Sequence, residues 1–100
     1  MYRPLPPYLT IKQSSVDGLG LFAVKSIPKS TDIGISHVKD RHFANGYIRT
    51  PLGGFINHST TPNCKTFYEG RLVYIITIAN IKVGEELTLH YTMYDPSRTQ

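Results

Sequence analysis

The sequence predicts a mostly β domain of several short strands in small sheets. Three observations lead to this fold class. Short segments alternate apolar with polar residues, or are rich in β-branched and aromatic side chains, and both patterns suit a pleated sheet. Glycine, proline and asparagine stand between those segments at turn positions. No stretch keeps a helical repeat of apolar residues over three turns, so no long amphipathic helix is predicted.

Three strands are predicted in the first half of the chain. "YLTIKQ" (8–13) alternates apolar and polar residues, and "LFAVKSI" (21–27) follows the turn "SSVDGLG". "TDIGISHV" (31–38) predicts a third strand, which its glycine weakens. The pattern fades across residues 39–52, which contain a turn signal at Asn45-Gly46.

The second half gives a clearer strand pattern. "KTFYE" (65–69) and "LVYIITI" (72–78) are joined by a short turn and predict a β-hairpin. The turn "KVGEE" (82–86) leads into a last strand, "LTLHY" (87–91). At the other end, residues 1–7 contain three prolines and are predicted to form an extended arm.

Composition limits the class of protein. A chain of 100 residues with 40% hydrophobic residues predicts a single globular domain. One cysteine excludes an internal disulfide and a cysteine-based zinc site, and the four histidines lack metal-ligand spacing, so no metal is predicted. No signal peptide and no membrane-length apolar run is visible, which predicts a soluble, intracellular protein without a membrane partner.

The net charge of +4 raises the question of a nucleic-acid partner. The eleven Lys and Arg residues are scattered, with no two adjacent, so the sequence shows no basic stripe. The sequence therefore does not favour nucleic acid as a partner, although a small basic β-domain that binds nucleic acid stays open as an alternative.

Taken singly, the chemically interesting residues have ordinary interpretations. Gly18-Leu19-Gly20 is typical of a hairpin turn, because it lacks the third glycine and the helix of a dinucleotide site. His58 is typical of a hydrogen-bonded loop histidine, and Ser59 is too close in sequence to use it as a base. Two acids in a turn, such as Glu85-Glu86, are ordinarily solvated.

Three segments together resemble the SET-domain family of protein lysine methyltransferases. "DGLGLFAVKSI" (17–27) resembles the family's opening Gly-x-Gly strand pair. "GFINHSTTPNC" (54–64) resembles its Asn-His-Ser…Pro-Asn motif, and "IKVGEELTLHYT" (81–92) resembles its Gly-Glu-Glu-Leu-Thr-x-x-Tyr motif. The segments occur in the family's order and cover about a third of the chain. The resemblance implies a minimal SET domain of the viral or bacterial type, with a β-clip-like fold and a pseudoknot-like threading of the C-terminal segment.

The resemblance also implies a site for the methyl donor S-adenosylmethionine and a protein substrate with a target lysine. It assigns donor binding to a set of six residues, with Asn63 and Ser59 holding the local turn. Tyr91, the closing tyrosine of the last motif, would be the catalytic residue. The donor-binding set is Gly18, Leu19, Gly20, Asn57, His58 and Tyr91, and the candidate walls of an aromatic lysine channel are Tyr47, Tyr68 and Tyr94.

Several departures from the family pattern bear on activity. His90 stands where the family commonly has Asp, and Thr60 replaces a frequent Cys. Only residues 39–52 could represent the family's inserted subdomain, so this segment is interpreted as a vestigial insert. A SET fold that retains the cofactor pocket or binds protein, with little catalysis, therefore stays open as an alternative.

The partners follow from the same features. The positive net charge predicts a substrate that is not strongly basic. The small size leaves strand edges to cover, which predicts a homodimer. The arm at residues 1–7 and the tail at residues 93–100 are the segments expected to reach across.

Overall fold

The computed structural model describes residues 5–43 and 46–90 and shows short strands in two four-stranded sheets. The elements in chain order are β1 (Leu9–Gln13), β2 (Leu19–Ala23), β3 (Asp32–Lys39), β4 (Tyr47–Arg49), α1 (Pro51–Phe55), β5 (Asn57–His58), β6 (Cys64–Glu69), β7 (Leu72–Thr77) and β8 (Glu86–Leu89). The mostly β fold class is confirmed. The predicted threading concerns residues 91–100, which lie outside the described residues.

The first sheet has the strand order β1-β2-β8-β5. β1 and β2 form an antiparallel hairpin, and β8 pairs antiparallel with β2 through Leu21↔Leu87 and Phe22↔Glu86. β5 pairs with β8 in the parallel direction. The sheet therefore holds parts of all three segments that carry the family resemblance.

The second sheet has the strand order β4-β3-β7-β6. β6 and β7 form the predicted hairpin, with Gly70 at a φ of 60° in its turn. β3 pairs with β7 with two register shifts, one between Asp32 and Gly34 and one between Ile35 and His37. Gly34 adopts a φ of 134°, a conformation that side chains rarely allow, so the glycine serves the irregularity in β3.

The helix α1 begins at the end of the region in which the strand pattern fades, and sequence periodicity did not predict it. Thr50 caps it, because its hydroxyl accepts a bond from the Gly53 backbone N–H and Pro51 occupies the first turn. Five residues are too few to repeat an apolar pattern. A Cβ at Gly53 would collide with the Ser36 carbonyl oxygen, so only glycine lets α1 lie this close to β3. Within the described residues, no helix has the length and apolar character of a membrane span.

One apolar core joins the two sheets. Its fully buried members come from strands of both sheets, and an isolated bridge between Ile27 and Ile81 ties together the two loops that precede β3 and β8. The buried side chains are Leu9, Leu21, Ala23, Ile27, Ile33, Leu52, Ile56, Cys64, Ile75, Ile81, Leu87 and Leu89. Because Leu87 and Leu89 belong to this core, it fixes the position of β8, which forms part of the candidate site.

Candidate functional site

The candidate site begins with the parallel pairing of β5 and β8. Asn57 lies opposite Thr88, and His58 lies opposite Leu89. The backbone N–H of Ser59 continues the pairing by donating to the Leu89 carbonyl at 2.8 Å. The Asn-His-Ser segment and the end of the Glu-Glu-Leu-Thr segment are therefore neighbouring strands, although about thirty residues separate them in sequence.

The Asn57 side chain joins three parts of the site. Its amide nitrogen Nδ2 donates to Glu86 Oε2 at 2.8 Å and lies 3.2 Å from the carbonyl oxygens of both Asp17 and Leu19. All three partners are acceptors, so the network fixes which end of the amide is nitrogen. The amide oxygen of Asn57 is consequently the end that can accept a hydrogen bond from a ligand.

Glu86 is held by a second side chain. The Ser14 hydroxyl donates to the Glu86 carboxylate, with Oγ 2.7 Å from Oε1 and 2.9 Å from Oε2. The same hydroxyl oxygen accepts a bond from the Val16 backbone N–H at 2.9 Å. The ordinary interpretation of a solvated turn residue does not hold for Glu86, because it is the first residue of β8 and is part-buried against Ser14 and Asn57.

The Gly18-Leu19-Gly20 segment lies against this network. Gly18 has a φ of 46°, and its carbonyl accepts a bond from the Ser14 N–H at 2.7 Å, which closes the turn between β1 and β2. A Cβ at Gly20 would collide with the Glu86 carboxylate and approach the Asn57 amide. Leu19, between Gly18 and Gly20, is 51% exposed. Glycine at position 20 therefore leaves room for Asn57 and Glu86 to pack, and the turn presents the apolar side chain of Leu19 to solvent.

Asn63 and Ser59 shape the loop between β5 and β6. The Asn63 amide nitrogen donates to the Glu86 carbonyl at 2.8 Å, and its amide oxygen accepts from the Thr88 N–H at 2.8 Å. The side chain thus bonds to β8 as a neighbouring strand would. Ser59 Oγ accepts a bond from the Thr61 N–H at 3.0 Å, which forms a local turn.

Two histidine rings lie at the end of this parallel pair. The ring centroids of His58 and His90 are 5.0 Å apart and the rings are inclined by 44°. His90, which replaces the common Asp of the family, thereby lies beside a residue of the predicted donor site. This departure brings a titratable ring rather than a carboxylate to the end of β8.

The four tyrosines predicted for catalysis and for the channel are distributed unevenly. Tyr91 and Tyr94 lie outside the described residues. Tyr47 packs edge-on against His37 at 5.7 Å, and Tyr68 lies under the Lys39 ammonium at 5.7 Å. Both contacts belong to the second sheet, so they add no support for a channel beside Asn57. The channel roles stay a prediction.

Burial shifts the pKa values of His37 and Cys64. Burial, and then the charge of Arg49, lower the pKa of His37 to about 4. Ser36 donates its hydroxyl proton to the Val73 carbonyl and therefore accepts from Nδ1–H of His37 at 2.9 Å. Burial raises the pKa of the Cys64 thiol to about 12, against a smaller lowering by a backbone hydrogen bond from Thr88. The neutral thiol is a poor nucleophile.

Sequence reasoning missed Ser14 and Glu86 as parts of the site. Ser14 opens a turn rich in Ser and Gly, where a hydroxyl has many ordinary local partners. A signal was present in Gly20, since a glycine inside a strand indicates the close approach of another group. Here that group is the Glu86 carboxylate.

Comparisons with known proteins agree with this geometry. The family model for the SET domain matches residues 34–92. A Plasmodium falciparum structure, provisionally described as a histone methyltransferase, is 22% identical with a TM-score of 0.71, over 88% of this chain and 96% of that chain. The methyltransferase domain of human PR domain-containing protein 2 is 20% identical with a TM-score of 0.69, over 94% of this chain and 84% of that chain.

A third structure has the same fold. The SET domain of the RIZ1 tumour suppressor is 21% identical with a TM-score of 0.70, and the alignment covers 88% of this chain and 71% of that chain. No curated protein matches the chain in sequence. The family model covers more than half of the chain, and these structures are similar to it in fold. The chain belongs to the SET-domain family.

Proposed function

We propose that the chain is an S-adenosylmethionine-dependent protein-lysine N-methyltransferase. One observation carries the proposal: three motif segments meet in the first sheet, where Asn57 contacts both the backbone at Asp17 and Leu19 and the side chain of Glu86. The similar structures are described as a histone methyltransferase and as a methyltransferase domain, which agrees with this activity.

The residues present fit the methyl donor. Gly18 is exposed and has no side chain, so a ligand can approach its backbone closely, and the amide oxygen of Asn57 can accept a bond from the donor's ammonium group. Gly20 is buried against Glu86 and Asn57 and supports the site through that packing. Leu19 offers an exposed apolar side chain, and His58 offers backbone and ring beside β8. When bound, S-adenosylmethionine supplies an electrophilic methyl group on a cationic sulfonium. Tyr91 completes the proposed donor-binding set through its place in the motif.

The fixed partners of Asn57 prepare the site before the donor arrives. Glu86 and two backbone carbonyls hold the amide in one orientation, so its oxygen need not be ordered on binding. Ser14 holds Glu86 in turn. Such preorganisation strengthens binding because less conformational entropy is lost.

The chain must also deliver a neutral lysine amine. A free lysine has a pKa of about 10.4, so the attacking form is scarce at neutral pH. Exclusion of water around the lysine and a nearby positive charge both favour the neutral amine. We assign Tyr91 to hold that amine in line with the methyl group through its hydroxyl, while Tyr47, Tyr68 and Tyr94 stay candidate walls of the channel.

A two-step experiment tests the proposal. Calorimetry with S-adenosylmethionine and no added metal should first give a binding isotherm. Incubation with labelled donor and a lysate of the source cells should then give labelled lysines by mass spectrometry. Absence of both binding and label contradicts the proposal. Binding without label instead supports the alternative of a cofactor-binding module with little catalysis, which the replacement of Asp by His90 favours.

A further inference from the structure

A basic cavity lies at the end of the second sheet, away from the motif segments. Its volume is about 540 Å³, within the range of ligand pockets in proteins. It is lined by Lys39, Asp40, Arg41, His42, Gly46 and Arg71. Lys39 ends β3, Arg41 follows it, and Arg71 lies in the turn between β6 and β7, so the fold gathers charges that are scattered in the sequence.

The cavity has a defined charge and fixed donors. Lys39, Arg41 and Arg71 contribute three positive charges and Asp40 one negative charge, which leaves a net charge of two positive with His42 neutral. One carboxylate oxygen of Asp40 already has a partner, because Oδ1 accepts a hydrogen bond from the backbone N–H of His42 at 2.9 Å. Glu69, at the end of β6, is exposed and does not line the cavity.

Two of the cations are positioned by contacts. Arg71 donates from Nε and Nη2 to the Lys39 carbonyl at 3.3 and 3.2 Å, and the Lys39 N–H donates back to the Arg71 carbonyl at 2.7 Å. Two of the five guanidinium N–H groups are used in these bonds, which leaves donors for a carboxylate. The Tyr68 ring under the Lys39 ammonium limits where that charge can lie.

We propose that this cavity binds an acidic segment of the protein substrate, an inference that rests on the proposed methyltransferase function. Net charge two matches two carboxylates, and arginine forks suit carboxylate geometry. A nucleic-acid site would need cations that follow a backbone over several phosphates, whereas these three surround a single cavity. A substrate with this feature is also not strongly basic, as the charge of the chain predicts.

The position of the cavity sets the spacing in the substrate. β6 runs from Cys64, next to β8, to Glu69, which pairs with Leu72 beside Arg71. Five residues of strand span about 17 Å. An extended peptide advances about 3.3–3.6 Å per residue. With the proposed lysine site placed beside β8, the acidic residues are expected about five or more positions from the target lysine.

Direct binding tests the inference without methylation. The probe is a fluorescein-labelled hexaglutamate peptide, with hexaglutamine as its uncharged control, and fluorescence anisotropy is the readout. Hexaglutamate should bind the wild-type chain, and this binding should weaken as the salt concentration rises. Arg41→Glu should reduce the affinity about fivefold or more. Lys29→Glu makes the same charge change at an exposed residue outside the cavity and should stay within about twofold of wild type.

Three results overturn the inference. These are no hexaglutamate binding at millimolar concentration, equal losses in Arg41→Glu and Lys29→Glu, and tighter binding of a twelve-nucleotide single-stranded RNA that Arg41→Glu abolishes. The last result would make the cavity a nucleic-acid site. Donor binding and labelling of lysate lysines by the wild-type chain report on the proposed function separately. A chain that methylates but does not bind hexaglutamate refutes only the inference.

Discussion

The amide nitrogen of Asn57 lies 2.8 Å from Oε2 of Glu86, and this hydrogen bond joins two motifs that are 29 residues apart in sequence. The same amide bonds to the backbone carbonyls of Asp17 and Leu19. Asn57 therefore acts on the proposed donor site in two ways. Its nitrogen holds the glycine turn, and its oxygen is the acceptor that we propose for the methyl donor.

Asn57→Ala should weaken S-adenosylmethionine binding by about 1–3 kcal/mol. The ligand's ammonium group loses its hydrogen-bond acceptor, and the Glu86 carboxylate loses the N–H group that bonds to it. Calorimetry measures the affinity and thermal unfolding measures the stability. Thr61→Ala, in the neighbouring exposed turn, is the control and should leave the donor affinity unchanged.

Asn57→Asp separates the two roles of the amide. The variant keeps the shape but brings a second carboxylate against Glu86, so it should be less stable than Asn57→Ala at neutral pH and recover as the pH falls. If Asn57→Asp is as stable as wild type at neutral pH, the contact with Glu86 does not form in solution.

Two adjacent glycines in α1 give a matched pair for stability. Gly53→Ala should destabilise the fold by about 2 kcal/mol or more, because its Cβ would collide with the Ser36 carbonyl and the His37 ring. Gly54→Ala meets no neighbouring atom within 4 Å and should be neutral, or stabilising by up to about 1 kcal/mol. Urea unfolding of both variants measures the difference. Equal effects would contradict the packing of α1 on β3.

The buried imidazole of His37 predicts a pH-dependent stability. Its folded pKa of about 4 lies below the ordinary value of 6.5, so the unfolded chain binds the extra proton between these values. The contribution of the neutral His37 ring to the free energy of unfolding is therefore fully present above pH 6.5. It is lost as the pH drops toward 4, by up to roughly 3 kcal/mol. Urea unfolding at pH 7, 6 and 5 measures this.

His37→Asn is the control for that prediction. Its amide can still donate to Ser36, but it does not titrate, so the fall between pH 6.5 and 5 should be much smaller than in wild type. Carboxylates contribute to both proteins only at lower pH. A wild type and a variant with the same slope in this window would show that His37 is not the group responsible.

The part of the fold that could be predicted from the sequence is the part with local signals. The alternation in residues 72–77 and the turn at Gly70 indicated the second hairpin almost to the residue. The five-residue helix α1 had no such signal, and Gly34 indicated a weakened strand but not the register shifts of β3 against β7. Both depend on packing against other elements rather than on a repeat in the chain.

The site divides in the same way. Asn57, His58 and the Gly18–Gly20 turn could be proposed as site residues because they stand in recognisable motifs. The bonds that Glu86 makes to Asn57 and Ser14 could not be found, since these partners lie 29 and 72 residues away. The cavity between Lys39 and Arg71 was hidden for the same reason, because cations 32 residues apart look scattered in one dimension.

Tyr91→Phe tests the catalytic assignment. The change removes one hydroxyl and keeps the ring, so the methylation rate should fall about tenfold or more while donor affinity stays near wild type. Labelled-donor turnover gives the rate and calorimetry gives the affinity. Tyr74→Phe is the matched control on the second sheet, where the ring stacks on Phe67. An unchanged rate in Tyr91→Phe, or an equal fall in Tyr74→Phe, contradicts the assignment of the catalytic role to Tyr91.

Self-association is the last prediction, and the strand edges support it. β6 is six residues long, lies at the end of its sheet, and pairs with β7 within the described residues. It carries Phe67 stacked on Tyr74 at 4.8 Å and the 45% exposed Tyr68. A long edge of this kind is usually paired or protected, and a symmetric dimer could cover it with the residue 1–7 arm or the residue 93–100 tail of the other copy. Light scattering at micromolar concentration should give about twice 11.3 kDa, and a mass near 11.3 kDa would refute the dimer.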